Sequence, residues 1–301
     1  MSGAKVKQVK ASAPAKVNLA LRVGAPRADG FHPLDTVFEA LDIFDDVEAF
    51  AVDGTNLTME IHGIGADLPV DESNLVIRAA RLLQQAAQVQ FGAHLVVTKR
   101  IPVAGGMAGG SADAAATLVA LNALWELGLS RMQLAEFAAQ LGSDVPFALL
   151  GGIARGTSRG EQLVPVQPRS MHGWVILTNP TGLSTPSVFR KFDELNPEAP
   201  KLPEHTQPVL DALADGSLDR LAQVFENDLW VAAAALRPDL AQIFQELDGV
   251  GVGRILSGSG PSIAVLCEIE QLDQLAKQLR SRFKELGVVT AIGPAAGAHL
   301  R

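Results

Sequence analysis

Residues 101–128 read IPVAGGMAGGSADAAATLVALNALWELG. Four glycines, Gly105, Gly106, Gly109 and Gly110, stand with Ala104 and Ala108 just ahead of Ser111. So bare a backbone lets several N–H groups approach one anion closely. The run then continues as ADAAATLVALNALWELG, a strong helix former that Gly128 can terminate. A helix opening here points its positive dipole end at the place the loop surrounds. Phosphate binding is the leading reading of the stretch, and a tight-packing glycine turn is the plainer one. No Gly-Lys-Ser/Thr follows, so this is not a Walker A loop. The glycine spacing is not that of a dinucleotide fingerprint either.

Upstream, residues 14–23 read PAKVNLALRV. Val17, Leu19, Leu21 and Val23 alternate with Lys16, Asn18, Ala20 and Arg22, and period two means a strand with one apolar face. A turn at Asp29-Gly30 and Pro33 follows, and residues 35–52 read as extended chain. Residues 73–88 suit a helix with Ser73 as N-cap, and 93–98 a short strand. Downstream, Ser130 can cap a helix that ends near Gly142. Ser143-Asp144-Val145-Pro146 then opens a shorter helix, with proline in the first turn where it is tolerated. From Asn179 to Pro208 six prolines fall within thirty residues, which reads as irregular chain and a candidate mobile wall of a substrate site. Helices are expected near 207–223, 238–247 and 270–286, and two strands should flank Ser257–Pro261. Helices and strands without regular βαβ alternation favour an α+β fold. The main change of domain is expected near residue 165, dividing the chain into 1–165 and 166–301.

At 301 residues, the chain is long enough for a substantial core and one or two domains. Hydrophobic residues make up 48% and charged residues 19%, which argues against disorder. A net charge of −8 argues against nucleic-acid or anionic-membrane partners, which need a basic face. The first ten residues, MSGAKVKQVK, lack the apolar core of a signal peptide. No stretch approaches the roughly 18 apolar residues of a membrane helix. Cys267 is the only cysteine, so an internal disulfide is ruled out; its apolar surroundings read as a buried thiol. A cytoplasmic protein is the expectation. The histidines show no metal-ligand spacing, and no hydrolase nucleophile motif is present.

Several other residues are open to two readings. Lys16 and Asn18 share the polar face of their strand, where a lysine can neutralise a phosphate; a solvated face is the plainer reading. Asp144 sits at a helix start, where aspartate routinely caps, and can alternatively take a proton from an alcohol. Phe31 and His32 follow a turn, where a ring and an imidazole can hold a planar base or simply pack on their own domain. Ser257-Gly258-Ser259-Gly260-Pro261-Ser262 suits either a second phosphate contact or a plain turn between strands.

Three of these segments resemble, in order, the marks of the GHMP kinase superfamily. They are Pro14-Ala15-Lys16-Val17-Asn18, the loop Pro102–Ala114, and Ser257–Ser262. The match spans nearly the whole chain. Within the superfamily, RADGFHPLDTVF and LGSDVPFALLGGIARGTSRGE are most similar to the branch that phosphorylates a cytidylated methylerythritol on its C2 hydroxyl, in the non-mevalonate route to isoprenoid precursors. The resemblance implies a two-domain α+β fold, with an ATP-binding domain, a ferredoxin-like C-terminal domain and the active site in the cleft between.

It also implies roles for single residues. Lys16 and Asp144 would be the catalytic pair, with Asp144 accepting the hydroxyl proton. Pro102, Val103, Ala104, Gly105, Gly106, Met107, Ala108, Gly109, Gly110, Ser111 and Ala112 would cradle ATP, and Mg²⁺ would accompany it. Asn74 and Lys99 would lie near adenine. Phe31, His32 and Phe189 would surround cytosine, with Asn18 and Thr185 near the substrate. No metal ligand is assigned. The sequence departs from the family where Ala104 and Ala108 replace the usual glycines; each methyl group narrows the cradle slightly, and alanine stays compatible if φ is negative there. It departs again where Phe31 replaces a common tyrosine and so loses a phenolic hydrogen bond. The rival readings are a homoserine- or mevalonate-type kinase, against which Gly30-Phe31-His32 speaks, and a nucleotide sensor that has lost activity, against which the retained Lys16 and Asp144 speak.

Overall fold

A computed structural model describes residues 7–301. The first six residues, part of the segment read above as no signal peptide, lie outside the described residues.

The chain opens with two long strands, β1 (Gln8–Val23) and β2 (Leu34–Val52), paired antiparallel. Next come β3 (Leu57–Gly63), α1 (Leu75–Ala86) and β4 (Gly92–Lys99). The glycine loop leads into α2 (Gly109–Leu124), α3 (Arg131–Leu141) and α4 (Val145–Leu150). A hairpin of β5 (Ile153–Ser158) and β6 (Gln162–Val166) follows, β5 pairing with β2. The second sheet begins at β7 (His172–Thr178). Five helices come next, α5 (Thr185–Leu195), α6 (Gln207–Asp215), α7 (Leu218–Gln223), α8 (Trp230–Leu236) and α9 (Pro238–Glu246), with the short strand β8 (Glu226–Asn227) between α7 and α8. The chain closes with β9 (Gly253–Leu256), β10 (Ile263–Cys267), α10 (Leu272–Arg282), β11 (Gly287–Gly293) and β12 (His299–Leu300).

The class is α+β, with two sheets. The first runs β12-β1-β2-β4-β3, with the β5–β6 hairpin joined to β2 and β8 to β1. The second is antiparallel, β11-β7-β10-β9. The change of sheet falls between Val166 and His172, but β8 and β12 return to the first sheet.

Helix α2 is apolar around its whole circumference, as expected of a helix enclosed on all sides. Ala112, Ala114, Ala115, Ala116, Leu118, Ala120 and Leu121 are all buried, and the alanines allow close approach to Ala15, Val17 and Leu19 of β1. One face of the second sheet, with Trp174, Ile176 and Ala264, joins this same core. Its other face, with Val175, Leu177 and Val265, packs under Val188 and Phe192 of α5, Ala233 of α8 and Leu279 of α10. Cys267 is free and buried in β10.

Several expectations need correction. Both faces of β1 are buried, so the alternation at 16–23 does not mark a solvated polar face. Lys16 and Asn18 face a cleft instead, and Arg22 pairs with Glu204 and Glu226. The register of β1 on β2 shifts between Pro14 and Ala15 and again between Asn18 and Ala20, and such irregularities re-aim side chains. Asn74, not Ser73, caps α1 by accepting from the Val76 amide at 2.9 Å; the Ser73 hydroxyl donates to Asp71. The helix expected over 207–223 breaks at Gly216, whose φ of +85° stops α6 before Ser217 caps α7. Helices α5 and α8 were not expected. In α5 the proline, Pro186, occupies the first turn, where its missing N–H costs nothing.

Candidate active site

A cleft of about 730 Å³ opens beside β1. Its floor is Lys16 and Asn18, and the glycine loop forms one wall. Ser143 and Asp144 stand at one side, α5 and the Phe31-His32 turn at the other, and Gly258 and Ser259 close the lip.

The floor is built by a hydrogen-bond chain. The Thr36 hydroxyl donates to the Ala20 carbonyl at 2.6 Å, so toward Asn18 it can only accept. It therefore takes the Asn18 amide N–H at 2.8 Å, which turns Asn18 Oδ1 toward Lys16. Lys16 Nζ donates to that oxygen at 2.6 Å. Asp144 Oδ2 lies 3.8 Å from Lys16 Nζ. Burial depresses the Lys16 ammonium below its usual range, and the charge of Asp144 opposes the shift.

Asp144 is the N-cap residue of α4, yet its side chain caps nothing. The capping explanation of this aspartate therefore fails, and its carboxylate, one-third exposed, stays open to the cleft. A carboxylate beside a buried lysine can accept a proton while the ammonium steadies charge on the oxygen that loses it.

The glycine loop meets the other two segments here. Lys16 N–H donates to Met107 O at 3.2 Å, and Ser257 Oγ donates to Gly106 O at 3.1 Å. A Cβ at Gly106 would stand 2.0 Å from Ser257 O, and one at Gly258 would stand 3.0 Å from Lys16 Nζ. Glycine at these two positions is what lets strand, loop and lip touch. Helix α2 starts on this wall with no side-chain cap, so its first N–H groups remain for an anion.

Ala104 and Ala108 do not have the negative φ that compatibility asked for. Their φ angles are +53° and +60°. A Cβ in that region costs about 1–2 kcal/mol, so the loop holds two strained alanines at the points where glycine would relax.

Most residues singled out in the sequence come together in this cleft. Lys16, Asn18, Phe31, His32, Asp144, Thr185 and Phe189 line it, as do Pro102, Ala104 through Ser111. Thr185 Oγ1 and Ser259 Oγ are 2.8 Å apart, joining α5 to the lip. Four residues do not line it. Val103 is exposed, Ala112 is buried inside α2, and Asn74 is engaged as the α1 cap, its Nδ2 donating to Pro69 O at 2.7 Å.

Lys99 is the fourth. It is buried below the loop and donates to Asp45 at 2.7 Å and Asp113 at 2.5 Å. Asp45 also accepts the Arg100 and Ile101 amides, so the group ties β2 and the loop entry to α2. Burial acts to lower the Lys99 ammonium, but the two carboxylates outweigh it and hold it above its usual range. The Asp113 carboxyl is pushed up to about 7, first by burial and further by the Asp45 charge, against the pull of Lys99.

The sign for stability follows from proton counting. Between the unfolded value of 3.8 and about 7 the folded chain holds a proton on Asp113 that the unfolded chain has released. The stability this group contributes is present in acid and is lost as pH rises to about 7. Asp113→Asn removes the titration. The Tm of the variant minus that of the wild type is expected to rise by about 5 °C from pH 4 to pH 8, read by calorimetry. A difference that stays flat would mean Asp113 is ionised in both states.

Sequence reasoning passed over Arg159, Arg190 and Asp193, which also line the cleft. Arg159 lies over the Phe31 ring at 4.8 Å and so covers the exposed aromatic. Arg190 and Asp193 follow Phe189 on α5, and recognising that helix would have brought them in.

Comparison with known proteins gives a consistent picture. The family model described as GHMP kinases N terminal domain matches residues 74–152. A protein of Nocardioides sp. is 48% identical over 96% of this chain and 98% of its own length. One of Nocardia farcinica is 46% identical over 96% of this chain and 94% of its own. Both are named 4-diphosphocytidyl-2-C-methyl-D-erythritol kinase. Among solved structures, 4-(cytidine 5'-diphospho)-2C-methyl-D-erythritol kinase superposes with a TM-score of 0.76 at 31% identity, over 94% of this chain and 99% of that one. A homoserine kinase from Cytophaga hutchinsonii superposes with a TM-score of 0.78 at 18% identity, over 100% of this chain and 99% of that one, a likeness of fold alone.

Proposed function

Since the chain belongs to the GHMP kinases, and among them to the family of 4-diphosphocytidyl-2-C-methyl-D-erythritol kinases, we propose that it moves the γ-phosphoryl group of ATP to the C2 hydroxyl of that cytidylated alcohol. The products are the 2-phosphate and ADP, and the step belongs to non-mevalonate isoprenoid precursor synthesis. The observation that carries this reading is that one cleft holds both a lysine–carboxylate pair, Lys16 and Asp144, and an imidazole–phenyl pair, His32 and Phe189.

The first pair suits phosphoryl transfer. Asp144 takes the proton from the C2 hydroxyl as its oxygen bonds to the γ-phosphorus, and the bond from that phosphorus to the β-bridging oxygen breaks. Such transfer proceeds through a loose transition state, so position and charge do most of the work. Lys16 holds charge on the attacking oxygen, and Gly105, Gly106, Gly109, Gly110 and the Ser111 end of α2 hold the triphosphate. Asn18 and Thr185 stand at the acceptor.

Mg²⁺ would accompany ATP and offset charge on its triphosphate. No group of three His, Cys, Asp or Glu among the described residues is placed to hold a metal ion. Asn74 and Lys99 support the adenine end from behind the cleft wall, as the cap of α1 and the brace under the loop. The units 1–165 and 166–301 would then be the nucleotide-binding and substrate-binding halves. No helix among the described residues is long and apolar enough to cross a membrane. Both substrates are charged and water-borne, which supports a cytoplasmic site of action.

The test is release of ADP with 4-diphosphocytidyl-2-C-methyl-D-erythritol as acceptor, set beside mevalonate and homoserine. Turnover of either of the latter, with none on the cytidylated alcohol, would sink the reading. A companion expectation concerns His32→Ala. Its KM for the cytidylated acceptor should rise about 30-fold, the loss of one buried hydrogen bond and one ring contact, while its KM for ATP stays within about twofold. Equal weakening of both would remove His32 from the acceptor site.

A further inference from the structure

Helix α5 presents three side chains to a single imidazole. Phe189, Phe192 and Asp193 fall at spacings of three and four and so share one face. The Phe189 ring lies 4.8 Å from the His32 ring with a 33° tilt. Phe192 meets it edge-on at 6.1 Å. Asp193 Oδ1 lies 2.8 Å from His32 Nε2. The imidazole is buried and held on three sides, and the side left open belongs to the cleft.

An ionised carboxylate only accepts hydrogen bonds, so the proton of this contact sits on Nε2. A neutral imidazole with its proton there has its lone pair on Nδ1. Among the described residues Nδ1 has no hydrogen-bond partner, and it is not sealed from solvent. The pairing of Asp193 with the far nitrogen therefore determines what the near nitrogen offers to a ligand. A carboxylate behind a ligand-facing histidine sets tautomer and ring orientation by the same logic at metal sites.

We propose that Asp193 is a positioning residue that holds His32 as the Nε2–H tautomer, and that the acceptor nitrogen so presented makes the cleft select a pyrimidine carrying an exocyclic amino group over one carrying a carbonyl there. The inference rests on the cytidylated acceptor proposed above. The 4-amino group of cytosine donates to Nδ1. The O4 atom of uracil would bring a second lone pair against it, and that contact has no proton to share. Sites built to hydrogen-bond a polar group discriminate far more strongly than sites that only pack against one.

The test uses the full chain with the cytidylated acceptor and its uridylyl counterpart. The wild type should favour the cytidylyl compound by about 100-fold in kcat/KM. In Asp193→Ala the preference should shrink about tenfold, with the loss falling on the KM for the acceptor and not on kcat or on the KM for ATP. Asp193→Asn, whose amide oxygen can accept the same N–H, should recover most of it. The double variant with His32→Ala should be no worse than His32→Ala alone. Nitrogen-15 spectra, with the His32 signal assigned by its loss in His32→Ala, should show Nε2 protonated in the wild type and a tautomer mixture in Asp193→Ala. A wild-type imidazole protonated on Nδ1 would overturn the proposal. So would an Asp193→Ala variant equally weakened toward both acceptors, which would mean Asp193 touches a part they share. A wild type that phosphorylates neither compound would overturn the functional reading and the selection with it, while the spectra would still decide how Asp193 holds His32.

Discussion

Asp144→Asn is expected to lower kcat by about 10³-fold while the KM for ATP moves by less than about threefold. Asparagine keeps the shape of the carboxylate and cannot take a proton. The α4 start should be undisturbed, because the Asp144 side chain makes no capping hydrogen bond to lose. Lys16 would lose the charge 3.8 Å away that opposes its desolvation, so its ammonium would become harder to keep protonated. Both effects would act on the reacting oxygen, and neither on the glycine wall proposed to hold the nucleotide. The measurement is steady-state kinetics alongside direct ATP binding by calorimetry. Turnover within about tenfold of the wild type would take Asp144 out of the base role. Loss of ATP affinity in step with kcat would place it on the nucleotide instead.

Gly106→Ala should cost both stability and activity, although it adds a single methyl group. The added Cβ would lie 2.0 Å from the Ser257 carbonyl oxygen, and the φ of +74° is itself unfavourable to alanine. Backbone faces backbone there, so no flexible side chain can yield. Overpacking and left-handed strain together cost about 3 kcal/mol, or roughly 5–10 °C in Tm for a chain of this size. Activity should fall further than stability, by more than about 100-fold in kcat/KM, since displaced loops no longer meet over Lys16. Gly54→Ala is the control. Its φ is +77°, but a Cβ there meets nothing within 4 Å, so it should lose a few degrees of Tm and no activity. If Gly106→Ala behaved like Gly54→Ala, the contact between the loop and the Ser257 segment would have no part in assembling the site.

Much of the site was legible because it is written in local chemistry. A bare backbone ahead of a helix leaves N–H groups free for an anion, and that pattern is visible residue by residue. The α3 start at Ser130, the Pro146 helix and the paired strands around Ser257–Pro261 all follow from capping, proline placement and turn residues, and each is found where those rules put it. The miss that cost the site most has a plain cause. Six prolines hid α5, because composition registers how many prolines there are and not which turn each one occupies. With α5 went Arg190 and Asp193, and Arg159 was passed over on its own short turn.

The residues themselves determined that a glycine-rich loop precedes a helix apolar all round, that a lysine strand stands upstream and an aspartate at a helix start downstream, and that three segments resembling the family's occur in order. Whether those parts meet is a long-range question. Lys16 and Asp144 are 128 positions apart in sequence and 3.8 Å apart in space. Alternation along β1 could not tell a solvated face from a cleft floor, since both are polar; only the helices and the second sheet packed around the strand decide that. The φ angles of Ala104 and Ala108 likewise answer to the loop's fit against its neighbours, which overrides the preference of alanine. The Asp193–His32 contact spans 161 positions, and neither residue carries a local mark of the other.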